Sequence, residues 1–210
     1  MAHKYREEES TNCPSILLTN SSHTKLVRRI LTGIPDLQGA VSSIRELEPD
    51  DFSQKPAVQY GYFDQSSRSI VLKEPLPDGE FKALLLHETA HALLDMHLGK
   101  LVSTDVEGIM VDSLLPFFSE SVFPHLESLL SASRSNLKTT YIDALYSDWT
   151  DSARDRDAET RLFIESWNEV FCDLYALYAI SRLTGTVGDL LPEFEKLLKD
   201  LGFSVLKDTL

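Results

Sequence analysis

The segment from Glu80 to Leu98 carries the strongest helix signal in the sequence, and the rest of the chain is organised around it. It is rich in leucine and alanine, which favour helix, and it is followed by Gly99, a residue that commonly closes helices. Upstream, β-rich runs at Val58 to Phe63 and Arg68 to Leu72 flank a polar turn and predict a hairpin. A short loop with two prolines joins this hairpin to the helix. The expected order is therefore strand, short loop and long helix.

Other segments show weaker but readable periodicity. A short helix is expected from Ser22, as its capping residue, to Leu31, and a β-rich run follows from Ala40 to Leu47. A second long helix is predicted from about Ala158 to Leu183. A final amphipathic helix is predicted over about Leu190 to Leu201, where leucine and phenylalanine recur at helical spacing.

Length and composition predict a single domain over residues 1–210. The chain is 42% hydrophobic and 25% charged, values close to those of ordinary globular proteins, and it is long enough to bury a sizeable core. Residues 1–14 are expected to form a flexible tail. The β-rich part covers about residues 40–73 and the helical part about 80–201. The predicted fold class is α+β, with a small N-terminal β-sheet and a mainly helical C-terminal half.

Charge and hydropathy restrict the expected partners and compartment. The formal net charge of −13 repels a phosphate backbone, so nucleic acid is not expected as a partner. No apolar run is long enough to cross a bilayer, which argues against a membrane partner. The first residues are polar rather than signal-like, and the two cysteines lack the spacing of a disulfide scaffold or a metal clip. We therefore expect a cytoplasmic protein.

The sequence His87-Glu-Thr-Ala-His91 lies in the middle of the strongest helix. Positions four apart share a helix face, so His87 and His91 can present two imidazoles to one tetrahedral metal ion. Glu88 lies about 100° around the helix from His87, close enough to reach a metal-bound water without being a ligand itself. The spacing thus predicts a zinc site with two helix-borne ligands and an adjacent general base.

This arrangement resembles the zincin metallopeptidases, and the resemblance implies a compact zincin-like fold around an active-site helix. The later run Asn168-Glu-Val-Phe-Cys-Asp173 resembles the Asn-Glu-x-x-x-Asp segment of the gluzincin branch. It implies Glu169 as the third ligand, with Glu165 an alternative. It also implies that Asp173 accepts a hydrogen bond from the distal nitrogen of a ligand histidine. In zincins the strand before the motif helix binds substrate by strand addition, a role this resemblance gives to Ser69 to Leu72.

A rival third ligand is His97. The run from His87 to His97 matches the metzincin spacing His-Glu-x-x-His-x-x-Gly-x-x-His except at the glycine, where this chain has Leu94. Metzincins use that glycine to end the helix and turn the chain, and leucine strongly disfavours the positive φ required. A helix that continues to Leu98 carries His97 off the face of His91, so this alternative requires a different helix end.

Together these features predict a zinc-dependent peptidase, most simply an endopeptidase, that uses one Zn²⁺ to activate water and Glu88 as general base on a protein or peptide substrate. The alternative is a catalytically inactive zincin-fold module that binds or regulates, which has no need of Glu88. An additional donor to the oxyanion is also expected. The candidates are Tyr141, Tyr146, Tyr175, Tyr178 and His125.

Overall fold

The computed structural model describes residues 13–47, 60–98, 106–118, 156–184 and 191–203, together with the single residues 131, 143 and 205. The predicted tail, residues 1–14, lies almost wholly outside these ranges. The described part mixes helices with one small sheet, in agreement with the α+β prediction. None of its helices combines the length and the apolar composition that a bilayer crossing requires.

The sheet has four strands in the order β1-β2-β4-β3. The strands are β1 (Ser15–Leu17), β2 (Ser43–Leu47), β3 (Gly61–Asp64) and β4 (Ser69–Lys73). Strands β1, β2 and β4 run parallel, whereas β3 pairs antiparallel with β4, which makes β3 one edge of the sheet. The predicted hairpin is therefore present as β3 and β4. The parallel pairs link segments that are far apart in sequence, and they were not predicted.

Four of the described helices follow predicted ones with small shifts at their ends, and the other two, at 35–40 and 106–114, were not predicted. They are α1 (Ser21–Gly33), α2 (Pro35–Ala40), α3 (Asp78–Leu98), α4 (Val106–Leu114), α5 (Arg156–Thr184) and α6 (Leu191–Asp200), and a 3₁₀ turn at Leu115–Phe118 follows α4. The predicted cap Ser22 is wrong, because the Asn20 side chain accepts a hydrogen bond from the Ser22 amide at 2.9 Å. Pro35 begins the unpredicted helix α2, since its fixed φ suits a first helical turn.

Helix α3 is the central element of the core. Its contacts reach β3, β4, α1 and α2, and its most extensive packing is against α5. Because it is covered on several sides, its residues from Ala83 to Ala90 are all buried, including the completely buried Leu85. Each fully buried leucine or phenylalanine contributes about 1.5–3 kcal/mol relative to exposure, so this packing holds α3 rigidly. Any side chain on α3 that faces a cleft is thereby held in a fixed position.

The first turn of α3 is anchored by a buried histidine from α1. His23 is 2% exposed, and its ring stacks on Phe81 with 3.7 Å between ring centroids. Its Nδ1 lies 2.7 Å from Glu46 of β2, and its Nε2 lies 3.1 Å from Asp78, the first residue of α3. This histidine therefore joins the start of α3 to the sheet.

The position of β4 corrects one prediction. The segment Ser69 to Leu72 was expected to bind an extended substrate, but β4 pairs with β2 on one side and with β3 on the other. Both of its backbone edges are occupied, and Ile70, Val71 and Leu72 are completely buried. Strand addition to β4 is therefore impossible in this fold. Within the described residues, the free edge on this side of the sheet belongs to β3.

Candidate metal centre

His87 and His91 project from the same face of α3, one turn apart. Their Nε2 atoms lie 3.1 Å from each other, and the rings meet edge to face with 4.8 Å between centroids. His87 is nearly buried, at 8% exposure, whereas His91 is partly exposed. Helix geometry alone produces this approach, because residues four apart are neighbours on a helix surface.

Glu169 approaches the two imidazoles from α5. Its Oε2 lies 3.3 Å from His87 Nε2 and 3.5 Å from His91 Nε2, and 53% of its side chain is exposed. With the 3.1 Å between the two nitrogens, the three atoms form a nearly equilateral triangle. Ligands at 2.0–2.1 Å from a tetrahedral ion are separated by about 3.3–3.4 Å. His87, His91 and Glu169 could therefore hold a metal ion, with one coordination position left open.

Asp173 fixes the ring of His87 from behind. The Asp173 Oδ1 lies 2.9 Å from His87 Nδ1, and 15% of its side chain is exposed. The resulting hydrogen bond holds Nδ1 as a donor and directs Nε2 towards His91 and Glu169. It comes from the same helix as Glu169, one turn later, so α5 supplies both the third donor and this support.

Electrostatics favour a cation between these groups. Burial lowers the pKa of His87, but hydrogen bonds with Asp173 and Glu169 outweigh it and raise the pKa to about 10. Hydrogen bonds with His87 and His91 hold the pKa of Glu169 well below its usual value. The carboxylates thus stabilise positive charge at this point, and a divalent ion can replace the proton that His87 carries.

Glu88 lies beside the triangle but is not part of it. It is 6% exposed, and its carboxylate accepts a hydrogen bond from the backbone N–H of Phe63 in β3. Burial raises its pKa, an effect that His87 and His91 partly oppose. A Cβ atom placed on Gly61 would lie 3.7 Å from Glu88 Oε1, which shows how closely β3 approaches this carboxylate.

The side chains of His87, Glu88, His91 and Glu169 open into one cleft of about 760 Å³ between α3, β3 and the middle of α5. The backbone N–H of Lys73 donates to the carbonyl oxygen of Tyr60, so these two residues form a hydrogen-bonded pair. Hydrogen-bonded and non-hydrogen-bonded pairs alternate along antiparallel strands. The backbone N–H and C=O groups of Gly61 and Phe63 therefore point away from β4. The Phe63 N–H is the group that donates to Glu88, and the other three outward groups line the cleft along this strand edge. Apolar walls come from Leu84, Leu94, Leu98 and Trp167.

Other predicted residues are placed elsewhere. Helix α3 does continue to Leu98, and His97 packs against Phe203 with 4.2 Å between ring centroids, outside the group of possible metal donors. Tyr175 and Tyr178 are almost completely buried, at 0% and 1% exposure, and do not line the cleft. The remaining candidates lie outside the residues, or the side chains, that the structure describes. They are Tyr141, Tyr146, His125 and Glu165.

Sequence reasoning missed the cleft-lining groups of β3 and the far end of α3. Gly61, Phe63 and Gln65 carry no motif, and only the packing of the hairpin against α3 brings them to Glu88 and Asp95. The i+4 spacing from His91 to Asp95 was a signal that could have placed Asp95 on the ligand face.

Comparison of the chain with protein-family models, with curated proteins and with solved structures finds no match in any of the three. Functional interpretation therefore depends on the chemistry of the site itself.

Proposed function

We propose that this chain is a zinc-dependent peptidase with a zincin-like fold of the gluzincin type. The observation that supports the proposal most is the triangle of His87, His91 and Glu169 donors at tetrahedral spacing, with the buried Glu88 beside it. A structural metal site does not need a buried carboxylate that lies next to the donors without binding the metal. A hydrolytic site requires one as its general base.

The donor set favours zinc over harder cations. Two imidazole nitrogens and one carboxylate oxygen, with one position open, are the usual ligands of catalytic zinc. Calcium and magnesium prefer sites built from oxygen alone. The support that Asp173 gives to His87 is also of the kind found behind metal-binding histidines.

Each residue then has a definite task. His87, His91 and Glu169 would hold the zinc, which when bound would supply Lewis acidity that lowers the pKa of water and polarises a carbonyl group. Glu88, whose pKa is raised by burial, accepts the proton of the attacking water and passes it to the leaving amine. Asp173 keeps His87 in the orientation that the reaction needs.

The edge of β3 is suited to hold the substrate backbone. An extended peptide can add to the outward N–H and C=O of Gly61 and the outward C=O of Phe63 as a further strand of the sheet, while the Phe63 N–H holds Glu88. Side chains at Gly61 are excluded, since a Cβ there would lie 2.7 Å from Leu72 Cδ2 and 3.2 Å from the Val71 carbonyl oxygen. Glu88 lies beside Gly61 and Phe63, so a peptide added along this edge would pass close to the general base.

The test is to compare the full chain with its Glu88→Gln variant after loading with zinc. Elemental analysis should give about one zinc per chain in both, since Glu88 is not a donor. Cleavage of an unfolded protein substrate should fall by about 10²-fold or more in the variant, as expected for loss of a general base. Glu80→Gln, on the same helix but outside the cleft, is the matched control and should behave as wild type.

Two outcomes would contradict the proposal. If the wild-type chain takes up no zinc when zinc is in excess, the triangle is not a metal site. If zinc is bound but wild type cleaves the protein substrate no faster than Glu88→Gln does, the chain is a binding or regulatory module on the same fold.

A further inference from the structure

We infer that Asp95 forms a subsite for a positively charged substrate side chain, so that this chain cleaves peptides near arginine or lysine. The inference rests on the proposed peptidase function, because it names the substrate of the same cleft. Asp95 lies one helical turn beyond His91 on α3 and lines the cleft together with the metal donors.

The charge pattern of the cleft leads to this assignment. No lysine or arginine is found among the described residues that line it. Glu88 and Glu169 lie at the metal donors, whereas Asp95 is farther along the cleft. Asp95 accepts a hydrogen bond from the neutral side-chain amide of Gln65, in the turn between β3 and β4. Gln65 thus holds the carboxylate in place, and the described walls of the cleft offer it no lysine or arginine.

The surroundings of Asp95 fit a long basic side chain. Leu98, which is only partly buried, provides apolar surface for an aliphatic stem, while the carboxylate can pair with the charged end. Trp167 lies in the same cleft, and an indole ring attracts guanidinium and ammonium groups. An arginine can also form two parallel hydrogen bonds with the carboxylate. The net charge of −13 further attracts basic peptides at long range.

Helix geometry indicates how far the subsite lies from the scissile bond. Four residues of α-helix span about 6 Å, the axial distance from His91 to Asp95. An extended peptide advances about 3.3 Å per residue. The basic side chain should therefore be about two residues from the cleaved bond, on the side nearer the turn between β3 and β4.

The experiment uses the zinc-loaded full chain and peptide pairs that differ only in arginine or its uncharged isostere citrulline. Cleavage sites in a peptide mixture are first located by mass spectrometry, and kcat/KM is then measured for each pair. For wild type, the arginine peptide should be preferred by about fivefold, the value of a partly exposed ion pair. The preference should shrink as salt is raised.

Variants assign the preference to Asp95. In Asp95→Asn the arginine-to-citrulline ratio should fall to about one, and in Asp95→Lys a glutamate peptide should be preferred instead. Asp112→Asn is the matched control, because it removes the same charge from an exposed position on α4 outside the cleft. Its ratio should equal that of wild type.

Binding of labelled peptides to zinc-loaded Glu88→Gln separates this inference from the peptidase proposal. Cleavage without an arginine preference would overturn the subsite and leave the peptidase intact. An arginine preference in binding that depends on Asp95, without cleavage by wild type, would retain the subsite and overturn the peptidase. Absence of both cleavage and preferential binding would overturn both.

Discussion

Asp173→Asn tests whether the hydrogen bond between Asp173 and His87 strengthens zinc binding. Asp173 does not line the cleft. Its Oδ1 lies 2.9 Å from His87 Nδ1. The substitution keeps the size of the side chain but replaces a charged acceptor by a neutral one. Hydrogen bonds to charged groups contribute about 1.5–3 kcal/mol, against about 0.5–1.5 kcal/mol for neutral pairs. A difference of about 1.4 kcal/mol weakens zinc binding about tenfold.

The zinc Kd is measured by competition with a chromogenic chelator, and circular dichroism shows whether each protein is folded. We expect Asp173→Asn to raise the Kd by about tenfold, within the range of about 10–100-fold known for such supporting groups. Asp112→Asn, an exposed substitution on α4, provides the control for lost charge. A folded Asp173→Asn protein that binds zinc as tightly as wild type would refute this account of His87.

Two further predictions follow from pKa and packing. Because the pKa of His87 is raised to about 10 without metal, zinc must displace a proton from it at neutral pH. Zinc affinity measured between about pH 6 and 8 should therefore rise about tenfold per pH unit. A zinc affinity that does not change with pH would contradict this. Gly61→Ala would place its Cβ 2.7 Å from Leu72 Cδ2 and 3.2 Å from the Val71 carbonyl oxygen. Urea unfolding should show a loss of about 1–3 kcal/mol, and unchanged stability would contradict the close approach.

The local elements of the fold could be predicted from sequence, because their signals lie within a few residues of one another. The hairpin of β3 and β4 and the helices α3, α5 and α6 follow from periodicity and turn residues. The sheet order could not be predicted. The parallel pairing of β4 with β2 joins Ser69 to Ser43 over a long sequence separation, and no local pattern specifies it.

The candidate site also combines features that local sequence predicts with features that depend on how distant elements pack. The approach of His87 to His91 is a property of one helix, whereas the approach of Glu169 to both depends on how α5 packs on α3. A motif resemblance was needed to single out Glu169. The strand expected to bind substrate, Ser69 to Leu72, is an inner strand, because the sequence of a hairpin does not show which of its two strands will be the edge until the neighbouring strands are known.

The division of the donors between α3 and α5 has a consequence for biosynthesis. His91 precedes Glu169 by 78 residues (169 − 91 = 78), so a ribosome has long completed the motif helix before the third donor exists. A nascent or truncated chain carries the histidines and Glu88 but lacks the complete donor triangle. The donor triangle is therefore complete only after α5 has been synthesised and has packed on α3, so under the proposed peptidase function a partly made chain would not cleave peptides.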